Sequence, residues 1–289
     1  MKKQIIILFT GLTLLSSCYD AMNEVPLERM PPEIAFKDSL KVEMFVNELY
    51  VGLNTGIGGY NSFGGGAANQ NSFFDCVTDL GVLSPRGTNT AINSFTGATF
   101  HSGSGGNTDS RWAQVYQYMR KTNVVLEYIH YCEQLSQAKM AQYVGEAKLH
   151  KALLHYEMLK RYGGITIMDD LFAGGNIELP RNTFDECVEY IVRLCEEAAG
   201  GLPLRYPDND YGRLTKGAAL GLKAKVLLYA ASPLFNENPI AGTTEIQRYA
   251  SPDDRRWERA AKAALDVINL RMPNGAPAYE LFPSYERLF

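Results

Sequence analysis

The sequence is short of the residues that build most enzyme centres. Of its 289 residues only four are histidine (His101, His130, His150, His155) and five are cysteine (Cys18, Cys76, Cys132, Cys187, Cys195). No CxxC pair occurs, which removes the commonest zinc spacing. His150 and His155 lie five apart, roughly 140° round a helix of 3.6 residues per turn, so they do not converge on a metal. A packing or surface role is expected for both. HExxH, GxSxG and GxGxxG are absent. Gly212-Arg-Leu-Thr-Lys-Gly217 has the outer glycines of a phosphate loop, but Ala218 and Ala219 stand where Lys and Ser/Thr are required. No metal and no cofactor are expected. Charge of one sign is also lacking: 28 Lys and Arg face 32 Asp and Glu. That near balance excludes a basic footprint for nucleic acid. Only two tryptophans occur, against 17 tyrosines and 13 phenylalanines, which suit packed helices and sugar faces equally.

Long hydrophobic runs are missing too. The apolar run Ile5 to Leu15 is too short for a bilayer, which needs about 20 residues. Lys2 and Lys3 precede it and small Ser16 and Ser17 follow, the layout of a secretory signal peptide. The next residue is Cys18, and Leu-Ser-Ser-Cys is similar to the lipobox of bacterial lipoproteins. Residues 1–17 are therefore expected to be removed, leaving Cys18 as an acylated N-terminus. One acyl chain anchors only marginally, so several are expected. Residues 18–36 hold three prolines in "YDAMNEVPLERMPPEIAF" and read as a lipidated, extended tether. Once Cys18 is lipidated, four cysteines remain. Cys187 and Cys195, eight apart on one helix, stand about 12 Å apart and cannot bridge. Free thiols are the expectation for all four.

The spacing then predicts helices. Val42, Phe45, Val46, Leu49 and Leu53 fall on one helical face. Residues 54–109 are crowded with Gly, Asn, Ser and Thr and carry Phe63, Phe73, Phe74, Phe95 and Phe100, which predicts a long, irregular, ordered loop region. Helices resume near Ser110, where Asn123 intrudes on an apolar stripe and must tie down a neighbouring backbone. A helix from Ser136 to Tyr162 is apolar on two sides, as if sandwiched, and Gly163-Gly164 stops it. Thr183 with Glu186 predicts a capping box. Thr215 caps "KGAALGLKAKVLLYAA", which Pro233 closes, and Asp253 or Asp254 caps "RRWERAAKAALDVINL". The Trp, Ala and Ala of the last segment have tetratricopeptide spacing. The fold class is mostly α, a tetratricopeptide-like helix-pair scaffold with a long irregular loop region. Asp79, Asp169, Asp170 and Glu178 are the acidic residues available to a glycosidase-like pair, but spacing does not bring any two together.

Four stretches carry a resemblance: "RWAQVYQYMRKTNVVLEYI", "GEAKLHKALLHYEMLKRYGGITIMDD", "LPRNTFDECVEYIVRLCEEAAGGLP" and "GRLTKGAALGLKAKVLLYAASPLFN". Their order and wording resemble the SusD/RagB family of outer-membrane nutrient-binding lipoproteins. The characteristic residues are Trp112, Tyr116, Asn123, Glu146, Ala147, Tyr162-Gly163-Gly164, Arg181, Thr183, Gly212-Arg213 and Ala230 to Pro233. The resemblance covers most of residues 37–289. It implies a lipid-anchored protein at the outer membrane, facing the exterior. Such a protein captures oligosaccharide and passes it to a SusC-like TonB-dependent channel without catalysis. Members of that family are usually longer, with a second, loop-rich portion that is missing from this sequence, so weak or no glycan binding is expected of this chain. Candidate sugar contacts are Asn93 for hydroxyl groups and Phe95 and Phe100 for stacking. A tetratricopeptide-like adaptor, or a fragment without function, is the alternative reading. A glycoside hydrolase or lyase is a third.

Overall fold

The structure is a computed structural model that describes residues 30–56, 79, 112–171, 178–237 and 241–287. Among the described residues it is helical, and a single bridge between Arg271 and Pro277 is the nearest approach to a strand.

Helix α1, Pro32–Ala35, is one turn with proline at its first position, where the missing N–H costs nothing. Its carboxyl end delivers Ala35 and Phe36 into the core, with Phe36 fully buried. The extended reading of 18–36 therefore fails at its end. A proline at N1 starts a helix where the three prolines and sparse apolar periodicity predict an extended chain. Helix α2, Ser39–Gly56, buries Val42, Val46 and Leu49 at helical spacing. Asp38 caps it, its carboxylate accepting the Leu40 N–H at 2.9 Å. The helix runs on to Gly56, past the point at 54 where the polar composition predicted a loop.

Helix α3 is Trp112–Tyr128, and α4 is Gln137–Tyr162, capped by Ser136, whose hydroxyl accepts the Lys139 N–H at 3.2 Å. Both faces of α4 are buried from Tyr143 to Leu159, as the two-sided pattern predicted. At its end Gly163 takes φ 72°, a left-handed conformation. A Cβ there would stand 2.4 Å from the Ile246 carbonyl oxygen, and one on Gly164 would stand 2.1 Å from that of Asn182. Backbones fill both spaces, so each position requires glycine.

Helix α5, Phe184–Gly201, opens with the predicted capping box: Glu186 accepts the Thr183 N–H at 2.8 Å while Thr183 Oγ1 accepts the Glu186 N–H at 3.2 Å. Such a cap stabilises by about 1 kcal/mol. Helix α6 is Lys216–Ala231, capped by Thr215. Pro233 does not simply end it; it begins a short helix, α7, Pro233–Asn236. Helix α8, Arg255–Ile268, has Asp254 at its N-cap position with no side-chain bond. Asp253 does the work instead, accepting the Arg255 N–H at 3.0 Å.

The order of packing follows the chain. Helices α2 and α3 lie on each other and on α4; α5 covers the other side of α4; α6 packs on α5, and α8 on α6. One apolar cluster joins α1 and α2 to the start of α4, and a larger one runs from α3 through α8. Cys132, Cys187 and Cys195 are buried free thiols. The α8 end differs from the rest. Ala260 and Ala263 are buried against α6, while Trp257 (44 % exposed), Leu265 and Ile268 (64 % exposed) face outward in one stripe.

Candidate functional site: two ionic centres and an open cleft

Helix α4 buries three charged side chains: Glu157 near its end, paired with Lys160 and Arg161, and, five residues apart, Glu146 and Lys151. Glu146 is fully buried, on the face towards α2. Its carboxylate accepts from Tyr50 Oη at 2.8 Å, from Gln142 Nε2 at 2.8 Å and from Arg213 Nη1 at 3.0 Å. Arg213 spreads its remaining donors over Asp210 (Nε, 2.8 Å), Glu43 (Nη2, 3.2 Å) and Asn47 (Nη2, 2.9 Å). Tyr50 also accepts the Leu214 N–H at 2.9 Å, and Tyr206 donates to the Leu214 carbonyl at 3.0 Å. The turn 206–214 is thus riveted to α2 and α4. Burial, followed by the negative charge of Glu146, pushes both tyrosine hydroxyls far above their ordinary range. Burial opposes the charge on Arg213, but the Asp210 bond and the Glu146 charge outweigh it and hold the guanidinium firmly protonated.

Lys151 is the mirror image. Its side chain is 2 % exposed and its ammonium meets Asp169, 52 % exposed, at 2.6 Å. Tyr190 Oη donates to the same carboxylate oxygen, and Arg193 stands 3.8 Å from the other. Burial pulls the Lys151 pKa down, and Asp169 restores only part of it. Burial raises that of Asp169, but the bonds from Lys151 and Tyr190 win and hold it below the usual carboxylate range.

Each centre has a neutral histidine beside its tyrosine. His150 meets the Tyr50 ring edge-on at 4.3 Å and neither ring nitrogen has a partner. His155 places Nδ1 2.8 Å from the Lys151 carbonyl, which fixes the proton there, and its Nε2 is unpartnered. The ring lies 4.8 Å from that of Tyr190. Burial lowers the two imidazoles to about 3 and about 4.

Outside the Glu146 centre lies a cleft of about 300 Å³, lined by Asn47, Tyr50, Asn209, Asp210, Tyr211 and Arg213. Gly212 takes φ 99°, so the chain reverses between two neighbours. Arg213 turns inward, and Tyr211 is left 93 % exposed on the rim. Among the described residues no group of three His, Cys, Asp or Glu is placed to hold a metal ion, and no helix is long and apolar enough to cross a membrane.

Both centres and the cleft lie within a stretch that matches a known family. Residues 27–228 match the SusD-like family model, described as starch-binding, associating with the outer membrane. The chain belongs to the SusD-like family. A curated relative, SusD-like protein P25 of Formosa agariphila, is 23 % identical over 235 residues, 78 % of this chain and 43 % of its own length. The crystal structure of a SusD-like protein from Bacteroides fragilis is 25 % identical, with a TM-score of 0.52 over 84 % of this chain and 40 % of that one. Surface glycan-binding protein A from Bacteroides thetaiotaomicron, in complex with laminarihexaose, shares the fold at 17 % identity and a TM-score of 0.59, over 86 % of this chain and 46 % of that one. The chain spans less than half the length of these relatives.

In this SusD-like chain the residues that carry the resemblance are scaffold. Asn123 donates to the Met168 carbonyl at 3.0 Å and reaches that of Asp170 at 3.4 Å, the backbone tether expected of it. Arg181 clamps the end of α4, its Nε donating to the Gly164 carbonyl at 2.8 Å and its Nη2 to that of Tyr162. Tyr116 donates to the Thr166 carbonyl at 3.0 Å. The sequence-predicted Cys18, Asn93, Phe95 and Phe100, with the other aromatics of 57–78 and 80–111, lie outside the described residues. Of the acidic candidates, Asp79, Asp170 and Glu178 are exposed. Asp169 is engaged by Lys151, which favours its ionised form, the opposite of what a general acid needs. The Lys151 centre and the Tyr211 cleft were missed. The cleft left a local trace in "NDYGR", where Asn, Asp and Gly mark a turn around an aromatic.

Proposed function

We propose that this SusD-like chain is a glycan-capture lipoprotein, acylated at Cys18 and facing the cell exterior, that passes oligosaccharide to a SusC-like TonB-dependent outer-membrane channel. Family membership over residues 27–228 carries the reading. The lipobox-like Leu15-Ser-Ser-Cys18 supports the anchor, and the relative bound to laminarihexaose supports the ligand class. The helical array is the scaffold, and it performs no chemistry. Asn93, Phe95 and Phe100 are proposed sugar contacts. Calorimetry of the chain against neutral oligosaccharides tests the capture. Dissociation constants in the micromolar to millimolar range support it, and no heat at millimolar ligand with any of them overturns it. Metabolic labelling with palmitate tests the anchor, which is lost as an idea if Cys18→Ala incorporates label as the wild type does.

A further inference from the structure

The cleft beside Arg213 is built differently from the rest of the surface. Its turn is fixed at three points, through Glu146, Tyr50 and Asn47, before any ligand arrives. A loop so held gains nothing in packing from Tyr211, whose ring stands almost wholly in solvent. Tyr50 contributes a second, half-buried ring to the wall. Between these rings lie groups with hydrogen-bonding capacity to spare. Asn47 gives its oxygen to Arg213, which leaves its amide N–H groups as donors. Asp210 gives one carboxylate oxygen to Arg213 and keeps the other as an acceptor. Asn209 is exposed on the rim.

We infer that this cleft is a subsite for one neutral pyranose unit, with Tyr211 stacking on the apolar face of the ring and Asn47, Asn209 and Asp210 meeting its hydroxyl groups. The volume sits at the low end for small-ligand clefts, about 300–1,000 Å³, so it suits a terminal unit rather than a long chain. The charge state selects neutral sugar. Arg213 is the sole cation among the described residues lining the cleft, and its guanidinium is already shared between Glu146, Glu43 and Asp210. A uronate or sulfate would meet Asp210 without a free counter-charge. The inference rests on the glycan-capture reading and adds a place and a ligand class to it, separate from Asn93, Phe95 and Phe100.

The test is calorimetry and hydrogen–deuterium exchange on the full chain, using laminarihexaose, maltohexaose and a galacturonate hexamer. A neutral hexamer should bind and protect the peptides covering 39–50 and 206–214. Tyr211→Ala should weaken that binding by about tenfold. Tyr211→Phe should stay within about twofold, because the stacking face is kept. Both variants should melt with the wild type, since the ring is in solvent, so a lost affinity is not lost folding. If the wild type binds a neutral hexamer and Tyr211→Ala binds it equally well, the subsite is wrong while glycan capture stands. If no neutral hexamer binds, both fall. Tighter binding of the galacturonate hexamer overturns the neutral class. Unchanged sugar titrations with loss of co-purifying channel would make Tyr211 a protein contact instead, and also overturn the subsite.

Discussion

Glu146 and Lys151 sit on the same helix with opposite charge, and the protein treats them oppositely. Glu146 is buried together with its partner: Arg213 is itself only 11 % exposed, and a ring of neutral donors completes the carboxylate. Lys151 is buried alone, and its partner Asp169 stays half in water. The first centre closes on itself and fastens a turn to two helices. The second leans on solvent for one half of its pair. What separates them is which partner can be hydrated if the other is lost, since an uncompensated buried charge is far costlier than an exposed one.

Arg213→Ala should have the largest effect. It strands Glu146 in the core and should cost about 3–5 kcal/mol in urea unfolding. Replacing both partners, Glu146→Leu with Arg213→Met, should recover most of that loss, because the charge leaves with its counter-charge. Acid should have the next largest effect. His150 and His155 titrate near 6.5 when unfolded but are held to about 3 and about 4 when folded. The unfolded chain then binds more protons between these limits, so the stability they contribute is whole above pH 6.5 and drains away as pH falls towards 4. His150→Leu should shrink the fall between pH 6.5 and 4 by about 2–3 kcal/mol, seen as a flatter melting curve against pH. It should not lower stability at neutral pH, because it removes two unpaired nitrogens.

Asp169→Asn comes third. It leaves Lys151 buried without a counter-charge and should cost about 2 kcal/mol. Lys151→Met should cost under about 1 kcal/mol, because Asp169 is already half hydrated and the apolar stem is replaced in kind. Equal costs would mean that burial does not distinguish the two partners of this pair. The smallest effect belongs to the outer face of α8. Trp257→Gln with Ile268→Gln should change stability by about 0.5 kcal/mol or less, since both side chains are largely exposed. The same pair should reduce concentration-dependent self-association in sedimentation velocity, because it removes an apolar stripe.

Much of the scaffold was legible because its signals are local. The Thr183–Glu186 box, the Thr215 cap and the Gly163 stop each need only three or four neighbouring residues to be recognised. Asn123 was legible for a different reason: a polar residue on an apolar stripe must find a partner, although its partner at Met168 could not be named. The failures are long-range or depend on context. Pro32 starts a helix where Pro-rich composition suggested a tether, and α2 outlasts its polar tail to Gly56. The Lys151–Asp169 pair joins a lysine that looks like one more helix charge to an aspartate that looked like a loop acid. Nothing in the spacing of 18 residues says that they meet across the stop at Gly163. The cleft needed Asn47 and Tyr50 brought to Tyr211 by Arg213, a convergence of residues some 160 positions apart.

The joint at Gly163-Gly164 has a consequence for the order in which the protein can be made. The Gly164 N–H donates to the Ile246 carbonyl at 2.6 Å, and the Phe184 N–H donates to that of Glu245 at 2.7 Å. Both acceptors belong to a segment that follows α6 and α7, so a nascent chain that has just completed α5 has two backbone donors at this corner still waiting. Only when residues 245 and 246 have emerged can the corner set. Helices α4 and α5 can dock early, but their junction is finished late, by a strap from downstream.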